Sequence, residues 1–151
     1  MRFWDSSALV ALLLEEPRSG LVLALLHEDP EIAVWCLTEV EMESGIVRRL
    51  REGLDPEDAG AAKVRLRQLL DRWHEVVSLE AVRRRSTRLL GAHALSAEDA
   101  LQLGAALVLC AERPEIMDFV CLDDRLAGAA SREGFQVLPE NSHAQVAHPC
   151  A

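Results

Sequence analysis

The sequence has 151 residues and a formal net charge of −9, with 25 acidic and 16 basic side chains. Half of the residues are hydrophobic and 27% are charged, which indicates one globular domain and excludes a disordered or fibrous chain. The excess of acid argues against simple electrostatic binding of nucleic acid, so a polyanionic substrate would need bound divalent cations.

The sequence also bears on the compartment in which the protein works. No apolar run approaches the ~20 residues of a membrane helix, and no basic leader with a cleavage site precedes the first apolar stretch. The four cysteines are scattered and form no CxxC pair, which argues against a structural zinc site and favours a reducing compartment. We therefore expect a cytoplasmic protein with no membrane span and no signal peptide.

Short apolar runs alternate with helical patterns along the chain. The runs predicted as strands are Arg2–Trp4, Ile32–Trp35, 76–79, 119–122 and 135–138. The helical patterns cover 8–16, Ser19–Glu28, Thr38–Arg51, 55 towards Trp73, 80–93, 96–109 and Asp124–Glu133. Strands separated by helices predict an α/β domain with a mainly parallel sheet of about four to five strands. The helix over 96–109 is apolar almost all round and should be buried.

Local sequence indicates where several helices begin and end. Ser6 and Ser7 precede the first helix, where a hydroxyl can accept a hydrogen bond from a free backbone N–H. Thr38, with Glu41 three residues later, has the pattern of a capping box. Gly134 is typical of a residue that ends a helix.

Four acidic residues lie beside apolar segments, where a lone carboxylate is costly to bury. Asp5 and Asp123 follow predicted strands, at the sheet edge where ligands bind in parallel sheets. Glu41 and Asp99 lie near the starts of predicted helices. Taken singly, each acid is explained as a helix cap or as a first-turn residue favoured by the helix dipole. Taken together, a site for a hard cation such as Mg²⁺ or Mn²⁺ is an equally good interpretation.

In their order along the chain, these segments resemble PIN-domain proteins, especially the VapC-type toxins of bacterial toxin–antitoxin pairs. The resemblance spans residues 2–138. Its segments are residues 5–12 (DSSALVAL), 37–41 (LTEVE) followed by Arg48 and Arg49, 96–106 (SAEDALQLGAA), 120–126 (VCLDDRL) and the strand at 135–138.

The resemblance implies a PIN-like fold over residues 1–139, and the polar composition of residues 140–151 predicts a flexible C-terminal tail. It implies that the metal-binding and catalytic carboxylates are those at the four matching positions, Asp5, Glu41, Asp99 and Asp123. Glu43 is the alternative to Glu41, and the serines beside Asp5 match hydroxyl residues of the family.

Two positions depart from the family pattern. Cys121 stands where the family often has Thr or Ser, and Gln102 stands where it often has His. Neither removes a carboxylate, but both bear on how substrate is positioned and on rate.

These observations lead to three hypotheses. The first is a Mg²⁺- or Mn²⁺-dependent endoribonuclease, which acts through metal-activated water on an RNA substrate. The resemblance also implies a homodimer and an antitoxin partner. The second is a catalytically weak binding module that acts through a protein partner. The third is a DNA-directed nuclease with the same metal chemistry.

The basic residues and tryptophans have two interpretations each. One interpretation of the arginine clusters is that they contact RNA phosphates. The other is that they form solvated helix faces paired with acidic neighbours, and this second interpretation is favoured because most charge runs on helices are of that kind. The clusters are Arg83, Arg84, Arg85 and Arg88, and Arg48, Arg49 and Arg51. The three tryptophans stack on bases or pack in the core, and their apolar neighbours favour the core.

Overall fold

The computed structural model of the chain describes residues 1–140. The strands are β1 (Arg2–Trp4), β2 (Ile32–Trp35), β3 (His74–Val76), β4 (Phe119–Val120) and β5 (Val137–Leu138). The helices are α1 (Ser6–Leu13), α2 (Ser19–Glu28), α3 (Thr38–Arg51), α4 (Pro56–Leu70), α5 (Leu79–Ala92), α6 (Ala97–Leu109) and α7 (Asp124–Glu133), with a 3-10 turn at Pro114–Ile116. The tail predicted over 140–151 lies, from residue 141 on, outside the described residues.

The five strands form one sheet in the order β3-β2-β1-β4-β5, and every neighbouring pair is parallel. Phe3 is in register with Ala33 of β2 on one side and with Phe119 of β4 on the other. The prediction of an α/β fold with a parallel sheet is confirmed. Parallel strands have to be joined by long crossovers, and the helices between them supply these connections.

The sheet is buried on both faces, with one apolar core on each. Successive residues of a strand point to opposite faces, so Phe3 and Trp4 belong to different cores. Phe119 stacks on Phe3 with ring centroids 5.5 Å apart, in the core that also contains the buried residues of α6. The prediction that α6 is a central, buried helix is confirmed by the burial of seven of its residues.

Three strands and the first helix differ from their predicted bounds. The third strand was predicted over 76–79 but lies at His74–Val76, because β2 pairs with those residues. The apolar Val77 and Leu79 beyond it are 68% and 60% exposed. Strands β4 and β5 are shorter than the apolar runs that predicted them. The first helix ends at Leu13 rather than at residue 16, because Leu14 is already extended.

All three tryptophans are core residues. Trp4 and Trp35 are fully enclosed, and Trp73 is 9% exposed. The core interpretation of these residues is therefore confirmed over base stacking. Within residues 1–140, no helix has both the length and the apolar character needed to cross a membrane.

Candidate active site

The candidate site is a cleft of about 520 Å³ beyond the carboxyl ends of β1 and β4. The chain order runs outward from β1 to β2 and β3 and then returns to β4 on the other side of β1. Such a reversal splays the loops that follow the two strands and opens a crevice between them. Six carboxylates line the cleft, namely those of Asp5, Glu16, Glu41, Glu98, Asp99 and Asp123. All four carboxylates predicted from the sequence therefore face the same cleft.

Asp5 is the most deeply buried of these acids, at 3% exposure. It is the N-cap of α1, and its Oδ2 accepts hydrogen bonds from the backbone N–H of Ser7 at 3.0 Å and from the Ser7 hydroxyl. The thiol of Cys121 donates to the same oxygen at 3.6 Å. No hydrogen bond within residues 1–140 reaches Oδ1. Asp5 therefore caps the helix with one oxygen, and the other is left unpaired.

Burial raises the pKa of Asp5 to about 6, and the negative charge of Asp99 adds to this. The hydrogen bonds from Ser7 act in the opposite direction and are outweighed. Within residues 1–140 no Lys, Arg or His forms an ion pair with Asp5. A buried carboxylate without a cation is an energetic cost to the fold, and such groups are concentrated at functional sites.

Asp123 and Asp99 enter the cleft from the starts of two helices. Asp123 is the N-cap of α7, where its Oδ1 accepts from the backbone N–H of Leu126 at 2.8 Å. Asp99 lies in the first turn of α6, and its backbone N–H donates to the hydroxyl of Ser96 at 3.1 Å. Ser96 is thus the N-cap of α6. Asp123 therefore both caps α7 and lines the cleft.

Glu41 enters the cleft from the first turn of α3. Its Oε2 accepts a hydrogen bond from Nε2 of Gln102 at 2.8 Å, and burial raises the pKa of its carboxyl. The predicted capping box is wrong, because α3 begins at Thr38 itself and its N-cap, Leu37, makes no side-chain bond. The alternative acid, Glu43, forms an ion pair with Lys63 at 3.3 Å and does not line the cleft.

The cleft has one cationic side chain among the described residues, that of Arg48. Arg49, the next residue, instead pairs with Glu16 at 3.3 Å. The denser arginine cluster on α5 is partly ion-paired, since Arg84 contacts Glu80 and Arg85 contacts two glutamates. The ion-paired interpretation is therefore supported for α5, whereas Arg48 alone projects into the candidate site.

The donors of the cleft fit a hard divalent cation. They are carboxylates and the hydroxyls of Ser6, Ser7 and Ser44, with no imidazole among them, and Mg²⁺ and Mn²⁺ prefer such oxygen ligands. Within residues 1–140, no three His, Cys, Asp or Glu side chains are close enough together to hold a metal ion as they stand. The carboxylates thus share a cleft without forming a closed coordination shell.

Sequence reasoning missed part of this site. Glu16 and Glu98 line the cleft but follow no strand, and neither was among the predicted site residues. The hydrogen bond between Gln102 and Glu41 joins residues that are 61 positions apart in the chain. The serines expected to assist the site do so in an unexpected way, because the Ser7 hydroxyl accepts from the backbone N–H of Leu122 at 3.0 Å and ties the loops after β1 and β4 together.

Comparisons with known proteins agree on the fold. The family model described as PIN domain matches residues 2–131. A solved structure described as FitAcB from Neisseria gonorrhoeae is similar, with a TM-score of 0.61 and 15% sequence identity. The similarity covers 91% of this chain and 96% of that chain. No curated protein sequence matches the chain.

Proposed function

The chain belongs to the PIN-domain family, and we propose that it is a divalent-metal-dependent endoribonuclease and a toxin of the VapC type. PIN domains are generally nucleases. The observation that carries the proposal is the cleft itself, where the buried Asp5 and five further carboxylates line the crevice between β1 and β4. A purely structural role leaves unexplained why a carboxylate is buried there without a cation.

Mg²⁺ or Mn²⁺ would be held by Asp5, Glu41, Asp99 and Asp123. A bound divalent cation lowers the pKa of water and neutralises charge on a phosphodiester. The chain itself supplies the fixed geometry. The bonds from Ser7 hold Oδ2 of Asp5, whereas Oδ1 accepts no hydrogen bond within residues 1–140 and is available to a cation. The capping bond of Asp123 fixes the orientation of its carboxylate at the start of α7.

The RNA would follow the face of α3 that lines the cleft. Glu41, Ser44, Gly45 and Arg48 all line the cleft and lie at helical spacing along one face of α3. At 1.5 Å of rise per residue, Arg48 is about 10 Å along the axis from Glu41. A guanidinium there would bind a phosphate that neighbours the scissile one, which favours nucleic acid as the substrate despite the net charge of −9.

The proposed protein partners are a second copy of the chain and an antitoxin. Leu21 and Leu23 of α2 are 52% and 47% exposed, and exposed apolar side chains on one helix are typical of an interaction surface. A ribonuclease toxin that cleaves cellular RNA would act in the cytoplasm, and we propose that compartment for this protein.

The direct test is cleavage of matched RNA and DNA strands with Mg²⁺ or Mn²⁺ and with EDTA. We expect metal-dependent cleavage of RNA that Asp5→Asn and Asp123→Asn abolish. Asp124→Asn is the matched control, because Asp124 neighbours Asp123 but does not line the cleft. Cleavage of DNA alone supports the DNA-directed nuclease. Partner binding without cleavage at any metal concentration supports the binding module, and full activity in Asp5→Asn refutes the site.

A further inference from the structure

The side chain of Gln102 links two elements of the cleft. It lies on α6, three residues after Asp99 and thus near the same helix face, and it is 1% exposed. Its Nε2 donates to Oε2 of Glu41 at 2.8 Å and to Oγ1 of Thr38 at 3.1 Å. Both acceptors belong to the first turn of α3. The helix that carries Asp99 therefore also holds Glu41.

The orientation of this amide is unfavourable for Gln102 itself. Its Oε1 is fully buried and accepts no hydrogen bond within residues 1–140. Turning the amide over would let Oε1 accept from the hydroxyl of Thr38. The same turn would place Oε1 against the carboxylate of Glu41, and two acceptors in contact repel. The hydrogen bond to Glu41 is therefore made at the expense of a partner for Oε1 of Gln102.

A glutamine is suited to this contact for an electrostatic reason. The Nε2 group donates a hydrogen bond without carrying a formal charge. A cationic donor would pair with Glu41 and compete with any cation for its negative charge. The amide instead fixes one oxygen of Glu41 and leaves its charge available. Donors of this kind, one step behind a metal ligand, orient the ligand and tune its affinity.

We propose that Gln102 is a positioning residue that holds the Glu41 carboxylate in the cleft for a divalent cation. The inference rests on the proposed function, because it takes Glu41 as a metal ligand. It adds that α6 contributes to the metal site twice, directly through Asp99 and indirectly through Gln102. Loss of the amide should therefore weaken metal binding, although Gln102 does not line the cleft.

The test is a double-mutant cycle read by Mn²⁺ binding, with the free ion measured by electron paramagnetic resonance. The four proteins are the wild type, Gln102→Met, Glu41→Gln and the double variant. Methionine keeps an unbranched side chain and removes the donor. Gln102→Asn, which withdraws the amide by one methylene, is a second variant in case the methionine disturbs folding. Gln136→Met is the matched control, because Gln136 also donates to a glutamate, Glu140, on the exposed surface.

We expect Gln102→Met to raise the dissociation constant for Mn²⁺ roughly 10-fold and to have no further effect when Glu41→Gln is already present. The control should bind Mn²⁺ as the wild type does. Urea unfolding in EDTA establishes that each variant is folded before Mn²⁺ is added.

Two results would overturn the inference. One is wild-type affinity for Mn²⁺ in folded Gln102→Met. The other is an equal loss of affinity with and without Glu41, which would mean that Gln102 acts on the fold and not through Glu41. If Glu41→Gln alone leaves Mn²⁺ binding intact, the proposed metal site fails and the role of Gln102 fails with it. If Mn²⁺ binds as expected but no RNA is cleaved, only the proposed activity fails.

Discussion

The substitution Asp5→Asn should stabilise the metal-free protein at neutral pH while it abolishes metal binding. Asp5 is buried and pairs with no Lys, Arg or His within residues 1–140, and its pKa is about 6 in the fold against 3.8 as a free side chain. At roughly 1.4 kcal/mol for each pH unit, keeping this carboxyl ionised costs the folded state about 3 kcal/mol. Asparagine removes that cost and keeps an oxygen that can accept from Ser7.

The difference in free energy of unfolding between Asp5→Asn and the wild type should grow as pH rises. Well below pH 3.8, Asp5 is protonated in both the folded and the unfolded chain, and no cost arises. As pH rises towards 6, the unfolded chain loses this proton and the folded protein retains it, so the free energy of unfolding falls. Above the folded pKa the loss is complete. We therefore expect Asp5→Asn and the wild type to be similar near pH 4 and to differ by up to about 3 kcal/mol near pH 8.

Urea unfolding in EDTA across this pH range measures the difference, and thermal melts should show it as roughly 6–12 °C in midpoint. Mn²⁺ at about 1,000 times its dissociation constant should reverse the order, because it stabilises the wild type by about 4.1 kcal/mol and leaves the variant unchanged. Parallel pH profiles for the two proteins, or a variant less stable than the wild type at pH 8, would refute the reasoning.

Three further predictions concern the cleft and the core. Arg48→Ala should lower the slope of log affinity for RNA against log salt by about one, measured by fluorescence anisotropy, and Arg51→Ala on the same helix should leave the slope unchanged. Gly104→Ala should cost about 1–3 kcal/mol in urea unfolding, since its Cβ would lie 3.2 Å and 3.3 Å from backbone atoms of α5. Gly60→Ala, with open space around it, should instead gain about 0.5–1 kcal/mol. Glu43→Gln should bind Mn²⁺ as the wild type does, and weaker binding would indicate that Glu43 is a metal ligand.

Periodicity and motif order were enough to predict the architecture. The strands β1 and β2 are buried on both faces of the sheet. Strands of this kind are nearly continuous apolar runs, which hydropathy identifies readily. The third strand was misplaced because apolar character and strand pairing disagree there, and Val77 is exposed although it is apolar. Hydropathy alone does not show which residues the neighbouring strand will pair with.

The four carboxylates could be predicted because strand ends and helix starts can be read locally. Their supporting contacts could not be predicted in this way. Thr38 illustrates the difference, because its spacing to Glu41 suggested a local capping box, whereas its hydroxyl oxygen accepts from Gln102, 64 residues away. The Thr38 hydroxyl that the local pattern assigned to a helix cap is instead bonded to a residue far away in the chain, and residue spacing does not predict such a partner.

Capping and metal binding looked like competing explanations for Asp5 and Asp123 in the sequence, but in the structure both residues cap a helix and also line the cleft, so the cap does not argue against the proposed metal site. A strand that ends and a helix that begins place the N-cap residue at the edge of the sheet, where the cleft lies. The capping bond occupies one carboxylate oxygen and fixes the side chain. The other oxygen is therefore held in place, and the side chain would lose little conformational freedom on binding a cation. Asparagine keeps the capping oxygen and removes the charge. Substitution by asparagine therefore separates capping from the proposed metal binding, because it should preserve the helix while it weakens binding of a divalent cation.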